Sequence, residues 1–293
     1  MSQLICENGV TVTQETLQFS VGGSNPTFSL HISTPCISIN PSNIKVNQVS
    51  SGEISKLQPR MSKAIWRPAP GRKLGFTVYH ENYLLGLIFL ASPVINMGAR
   101  DNALNLSKDS STKGKELRNY ADLSVCVSAQ PFGWHWNGGK LMALIATTLG
   151  DYWQERYGDE LKGIVTTSLY GKSKQYNRVY KLLGYTKGYG HEHITDEKYE
   201  EMMNWMRQNK IEIPSCKFGA GSNPRMRRIA AYKKASGDSE TTLIHGKQRG
   251  IYYHPAVDST LRNKTIEFWF QRWGYPRYLR TRELSAPYQT GIE

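Results

Sequence analysis

Apolar residues recur along this chain with two periods, and their order lays out the elements. Lys73 to Tyr79 and Leu84 to Leu90 flank the turn His80-Glu81-Asn82, which predicts a hairpin whose second strand is buried on both faces. Leu123 to Ser128 alternates apolar with small polar residues, the pattern of a strand with one buried face. A loop follows from Pro131 to Lys140. Leu141, Leu144, Ile145, Thr148 and Tyr152 then recur at helical spacing and predict a helix of about four to five turns, closing at Tyr157 with Gly158 as its C-cap. Leu161 to Ser168 predicts a strand, and Asn177 to Leu183 a short helix ended by Gly184.

The flanking regions read differently. Residues 1–59 are rich in Ser, Thr, Asn and Gly, with scattered β-branched residues, and predict a loosely packed β-rich arm or a partly ordered extension. Ser107 to Gly114 reads as a polar loop. Tyr199, Met202, Met203 and Met206 predict a helix over Asp196–Asn209 capped by Thr195. Ile211 to Pro214 is extended, Phe218 to Pro224 is a Gly-rich turn, and a basic helix follows with Pro224 as its first residue, ending at Ser236-Gly237. Thr241 to Tyr253 predicts a strand region that includes the basic turn His245 to Gly250. The domain reading is therefore an extension over 1–59, a main domain over 60–255 with a helical insertion at about 195–237, and a C-terminal segment over 256–293.

Charge changes the picture most. The chain of 293 residues carries 37 Lys and Arg against 24 Asp and Glu, a formal net charge of +13. That excess favours a polyanionic partner, nucleic acid first and DNA among them, over a small-molecule or protein substrate, with a generally basic protein as the plain alternative. From Asn263 to Arg282, Phe268, Trp269, Phe270, Trp273, Tyr275 and Tyr278 are interleaved with Arg272, Arg277, Arg280 and Arg282. Such a segment makes a platform for single strands or flipped bases, or a packing helix with a basic outer face; both readings stay open. Arg225, Arg227, Arg228, Lys233 and Lys234 on the basic helix are candidate phosphate contacts, with a solvated basic face as the plain alternative. Arg249 in the basic turn is another candidate.

Cysteine and hydropathy narrow the setting. Cys6, Cys36, Cys126 and Cys216 lie far apart, without zinc spacing or a disulfide framework, which points to a reducing cytoplasm. No signal-peptide pattern opens the chain, and Tyr83 to Val94 is too short and interrupted to span a bilayer. His191-Glu192-His193 lacks a third ligand at metal spacing, so no metal is expected. No Walker loop, Ser-His-Asp signature or dinucleotide fingerprint occurs.

Two places carry candidate chemistry. Asn137 as N-cap, with Gly138 and Gly139 allowing a tight turn, would present free N–H groups and a positive dipole end beside Lys140, an arrangement able to hold a phosphate. An ordinary strand–helix–strand unit with a capped helix is the alternative. Arg100 and Asp101 adjoin the end of an apolar strand, a common place for functional polar groups, or a surface turn with a local ion pair.

The order strand, glycine turn, helix, strand and Asn177-x-x-Tyr180-x-x-x-Gly184-Tyr185 resembles the acyl-CoA site of the N-acetyltransferase-like (GNAT) fold. The chain departs from that family's Arg/Gln-x-x-Gly-x-Gly/Ala loop, having Trp134 to Lys140 instead. Together with Leu84 to Phe89, Ala99-Arg100-Asp101 and Arg249 to Tyr253, this core resembles the Mom-like and Druantia-protein-A-like group of phage and anti-phage proteins, over about residues 60–255. The resemblance implies an α+β fold with a GNAT-like central mixed sheet flanked by helices, a β-rich N-terminal extension and a basic aromatic C-terminal segment. For the Mom group it implies transfer of a glycine-derived group to adenine in DNA; for Druantia relatives, defence against phage, with partner proteins of such a system. Acyl-CoA or a related donor is the implied cofactor class.

Acyl transfer to a base amine needs donors for the carbonyl oxygen and a proton acceptor. The strand around Val127 and the helix start Asn137–Lys140 are the expected donors, and Asp101 or His80 the expected acceptor. By the resemblance, Tyr180 protonates the leaving group. The aromatic C-terminal segment suits base flipping. Two other functions compete: a non-catalytic nucleic-acid-binding protein on the same fold, and an acetyltransferase acting on protein or small molecules.

Overall fold

The computed structural model describes residues 38–284, except 63, 65, 67–70, 170, 189, 191–192, 218–222 and 244–245, together with the backbone of four short strands before residue 30. These strands are β1 (Ser2–Ile5), β2 (Thr11–Gln14), β3 (Gln18–Ser20) and β4 (Thr27–Ser29), paired as two antiparallel ribbons. Next come β5 (Ile44–Val49), α1 (Ser51–Met61), β6 (Lys73–His80), β7 (Tyr83–Ala91), α2 (Gly98–Ala103), α3 (Ser110–Glu116) and β8 (Tyr120–Ser128). Then follow α4 (Phe132–Trp136), α5 (Gly138–Thr147), α6 (Gly150–Tyr157), β9 (Gly163–Thr167) and β10 (Lys181–Tyr185). The last elements are α7 (Asp196–Gln208), α8 (Pro224–Ser236), β11 (Gly250–Pro255), α9 (Arg262–Trp269), a π-helical turn (Phe270–Gly274) and α10 (Tyr275–Thr281).

Seven strands form one mixed sheet in the order β10-β11-β9-β8-β7-β6-β5. All neighbours are antiparallel except β8 and β9, which run parallel. The fold is thus α+β. Leu74, Phe76, Val78, Leu85, Ile88 and Leu90 face α5, where Leu141, Ile145, Trp153 and Trp269 close the larger core. Tyr79, Leu87, Phe89 and Val125 face Ile54 and Leu57 of α1 on the other side. Ser50 and Glu53 start α1 with a reciprocal capping box. Among the described residues, no helix is long and apolar enough to cross a membrane.

Several expectations need correction. β5 and α1 fall inside the stretch assigned above to the extension, yet β5 pairs with β6 along its whole length and α1 covers the sheet. The polar loop at 107–114 contains the start of α3, capped by the Asp109 side chain. The Pro131–Lys140 loop is largely helical, and the single long helix after it is two. Thr147 and Thr148 hydroxyls donate back to Leu144 O and Ile145 O at 2.7 and 2.8 Å, competing with the backbone ladder where α5 ends. Lys181 to Tyr185 is a strand rather than the end of a helix. Six or seven residues cannot separate the two periods, and pairing with β11 decides for strand.

An irregularity in β8 resets its faces. Phe89 opposes Val125 while Leu90 opposes Leu123, so Ser124 is an extra residue. Leu123 and Cys126 therefore both pack towards α5, and Val125 and Val127 towards α1.

The insertion between β10 and β11 has its own core of Ile194, Met202, Met203, Met206, Ile229 and Leu243. α7 and α8 begin and end as expected, with Thr195 and Asn223 as N-caps and Gly237 in the left-handed region. The expected strand over 241–253 narrows to β11. At the base of the insertion Thr186 N–H donates to Arg249 O at 2.9 Å. A little further out Gly188 lies so close to Gly246 that a Cβ on Gly188 would sit 3.0 Å from its carbonyl carbon.

Candidate functional site

β8 and β9 pair only from Tyr120↔Gly163 to Asp122↔Val165, and then part. Side chains bridge the gap that the ladder leaves. Thr166 Oγ1 donates to Leu123 O at 2.9 Å, and Gln175 Nε2 donates to Cys126 O at 2.9 Å. A cleft of about 390 Å³ opens here, lined among others by Gln58, Trp66, Val125, Val127, Lys172 and Tyr176. That volume lies within the range of small-molecule sites.

Asp122 occupies the last ladder position before the strands part. Strand alternation sets it opposite Ala121 and Leu123, on the α1 side of the sheet. Burial pushes its carboxyl up to about 7, against the lowering pull of Arg100 and Arg249. Cys126 is held as a thiol, pushed up to about 12 by burial although Tyr176 and Gln175 hydrogen-bond to it. Val127 lines the cleft with its side chain, but its carbonyl faces Gly86 of β7, where a Cβ would lie 2.6 Å away.

The expected proton-transfer groups are not brought together. His80 lies at the tip of the β6–β7 hairpin, paired with Tyr83, while Ala91 marks the other end, on the order of 20 Å away at ~3.3 Å per residue. Its Nε2 accepts Asn40 N–H at 3.0 Å, its buried Nδ1 has no hydrogen-bond partner among the described residues, and burial lowers its pKa against the pull of Glu81. Asp101 lies beyond the Ala91 end, held by Arg100 Nε at 2.8 Å, Lys113 Nζ at 3.1 Å and Met97 N–H at 3.2 Å. Burial raises the Asp101 carboxyl, but these hydrogen bonds outweigh it and leave it below its ordinary value. Arg100 is fully buried and also donates to Val94 O and Ile95 O, so it organises the turn after β7 rather than facing a phosphate. The Tyr180 hydroxyl donates to Ala143 O of α5 at 2.9 Å, and burial raises its pKa well above the ordinary value.

The start of α5 is roofed. Asn137 adopts φ 54° as the end of α4, makes no side-chain cap, and donates from Nδ2 to Trp273 O at 3.2 Å. A Cβ on Gly138 would lie 2.5 Å from the Phe132 ring, and one on Gly139 would lie 3.1 Å from Gln175. The two glycines therefore serve close packing. Lys140 Nζ donates to the carbonyls of Lys174, Gln175 and Asn177 at 2.9, 3.2 and 2.6 Å and lies 5.6 Å from the centroid of the Trp273 ring. An expected phosphate ligand is thus the fastener of the 174–177 turn.

The same holds for most candidate phosphate contacts. Arg225 pairs with Asp196 and donates to Ile194 O and Thr195 O at 2.9 Å. Arg227 donates to Ser215 O and Lys217 O, and Arg228 to Pro214 O, the Tyr199 hydroxyl and Cys216 Sγ. Lys233 donates to Thr241 O. Arg277 donates to Trp134 O at 3.1 Å and stacks over its ring. Arg249 is half-buried beside Asp122, while Lys234 and Arg272 are exposed. The glycine turn at 218–222, His245, Cys6, Cys36, His191, Glu192 and residues 285–293 lie outside the described residues. His193 Nε2 donates to Thr242 O at 2.7 Å.

Sequence reasoning missed Asp122, Trp66, Gln175 and Tyr176. The alternation that marks the strand in the sequence starts at Leu123, one residue after this acid, whereas β8 itself starts at Tyr120.

The Druantia protein DruA family profile matches residues 43–263 of this chain. Druantia protein DruA of Escherichia coli (strain UMEA 4076-1) is 30% identical over 254 residues, covering 73% of this chain. The chain spans 62% of the length of that curated relative.

Proposed function

The chain belongs to the Druantia protein DruA family, and on that premise we propose that it is an anti-phage defence protein whose GNAT-like core transfers an acyl group to a base amine in nucleic acid. The observation that carries this reading is the parting of two parallel strands in mid-sheet, with an open cleft whose β8 lining begins at Leu123, the residue after Asp122. An extended acyl donor, acyl-CoA or a related thioester, fits such a gap because strand edges offer unpaired N–H groups to its amides and carbonyl.

In this reading the amine nitrogen bonds to the acyl carbon, and the bond from that carbon to the leaving group breaks. One amine proton passes to the Asp122 carboxylate and is returned to the leaving group. A carboxyl near 7 suits both halves of that exchange at neutral pH. Tyr176 in the cleft wall stands nearer the chemistry than Tyr180, whose hydroxyl is engaged with Ala143 O. The excess of basic residues supports nucleic acid as the acceptor.

A second reading draws on the roofed start of α5. With Lys140 engaged by three carbonyls, the usual pyrophosphate cradle is filled, which favours a nucleic-acid-binding defence component without catalysis. The two separate in one experiment: digestion and mass analysis of nucleosides from cells expressing the chain, beside cells expressing Asp122→Asn. A new nucleoside that vanishes in the variant supports transfer and gives the group from its mass. Unmodified nucleosides with the protein soluble and folded sink the transferase and leave the binding reading.

A further inference from the structure

Near the C-terminus, four aromatic rings form a near-parallel column. Tyr278 stacks on Trp136 at 4.2 Å and 12°, Trp136 on Phe270 at 5.9 Å and 23°, and Phe270 on Tyr275 at 5.5 Å and 22°. Trp136 is buried, but the ring that ends the column is not, since Tyr275 is 45% exposed. Phe268 and Leu279 are 53% and 46% exposed, and with Arg272 and Tyr275 they recur at helical spacing along α9 and α10. They form one outward stripe.

The charges beside that stripe are one-sided. Residues 262–284 contain six Arg or Lys and two Glu. Arg262 is engaged by Asp151, Arg277 by Trp134 O and Arg282 by Glu283, while Lys264, Arg280 and Arg272, the last 6.0 Å from the Trp273 ring centroid, are exposed. Of the acids, Glu267 accepts from Gln271 and Glu283 pairs with Arg282.

We propose that the outer face of α9 and α10 docks single-stranded nucleic acid, a base stacking on Tyr275 while Arg272 and Arg280 meet the flanking phosphates. A flat ring backed by a rigid column suits a planar base, because its orientation is fixed before binding. Each unpaired base offers a π-face, and alternating rings and cations follow a strand's alternation of bases and phosphates. A duplex keeps its bases stacked on each other and has only phosphates to offer, so it docks more weakly here. The surface lies outside the β8–β9 cleft. The inference extends the nucleic-acid part of the reading above without requiring its chemistry.

The test is fluorescence anisotropy on the full chain with a labelled oligothymidylate of about a dozen nucleotides, no acyl donor added, beside an abasic strand of equal length. Tyr275→Ala is expected to weaken oligothymidylate binding about tenfold and Tyr275→Phe to retain it. The abasic strand is expected to bind more weakly than oligothymidylate, and Arg272→Gln to lower the salt slope by about one. Binding measured without an acyl donor reads this surface alone, so loss of the transferase reading leaves this one standing. Equal binding of the abasic strand overturns the proposal, as does displacement of the oligomer by polyglutamate at equal charge, which marks an acidic protein partner. Should Tyr275→Ala fail to fold, an unchanged salt slope in Arg272→Gln overturns it too.

Discussion

Replacing Asp122 by asparagine is expected to stabilise the protein in mild alkali and to leave it nearly unchanged in acid. Burial raises the folded carboxyl from 3.8 to about 7. A raised carboxyl favours the folded state below the unfolded pKa, and that advantage is lost as pH rises towards the folded value. The window thus runs from about pH 4 to about pH 7. Three units correspond to roughly 4 kcal/mol at most, and partial solvent access brings this nearer ~2 kcal/mol. The asparagine variant does not titrate, so its advantage over the parent is expected to grow by that amount between about pH 4.5 and about pH 8. Urea midpoints of both proteins, taken across that range, measure the difference. A constant gap between the two curves would mean that Asp122 ionises freely and that the apolar surroundings inferred for it are wrong.

Other substitutions probe separate parts of the fold. Trp269→Ala removes a fully buried ring packed on Phe132 and is expected to cost about 3–5 kcal/mol, read by urea unfolding. Gly86→Ala places a methyl 2.3 Å from Met142 Sδ and 2.6 Å from Val127 O, for a loss of about 1–3 kcal/mol seen as a lower Tm. Tyr180→Phe gives up the bond to Ala143 O and is expected to cost about 1 kcal/mol, read by urea unfolding, with nucleoside modification by the proposed transferase unchanged. A collapse of activity in that variant at unchanged stability would return Tyr180 to the chemistry. Arg228→Gln is expected to lower the stability of the α7–α8 insertion while leaving the salt slope of nucleic-acid binding as it was; a slope reduced by about one would make Arg228 a phosphate contact instead.

The strands that read most clearly were those with the most burial. β6 and β7 alternate or run apolar over eight and nine residues, long enough for period to decide. α7 and α8 were legible from Thr195 as a cap, Pro224 as a first helical residue and Gly237 at the end. β10 was not, because five residues beside a turn take their state from the partner strand. The site was harder for a related reason. Gly138, Gly139 and Lys140 have the composition of a phosphate cradle, and only the distant Trp273, Gln175 and Asn177 reveal that the space is filled. Likewise Arg225, Arg227 and Arg228 read as free charge until the carbonyls of 194–195 and 214–217 are folded around them. Charge is visible in a sequence, but engagement of that charge is long-range and is not.

β10 and β11 are sheet neighbours, yet more than sixty residues separate the start of one from the start of the other. At its base the two ends of that excursion are joined by Thr186 N–H to Arg249 O and Arg249 N–H to Thr186 Oγ1, with Gly190 N–H to Leu243 O further out. The chain therefore leaves the sheet and re-enters it side by side, as a hairpin does. Loop-closure entropy grows only with the logarithm of loop length, so shortening or enlarging the excursion changes the cost of closing it by little. A module closed at its base in this way can be shortened or enlarged without disturbing the register of the strands beneath it.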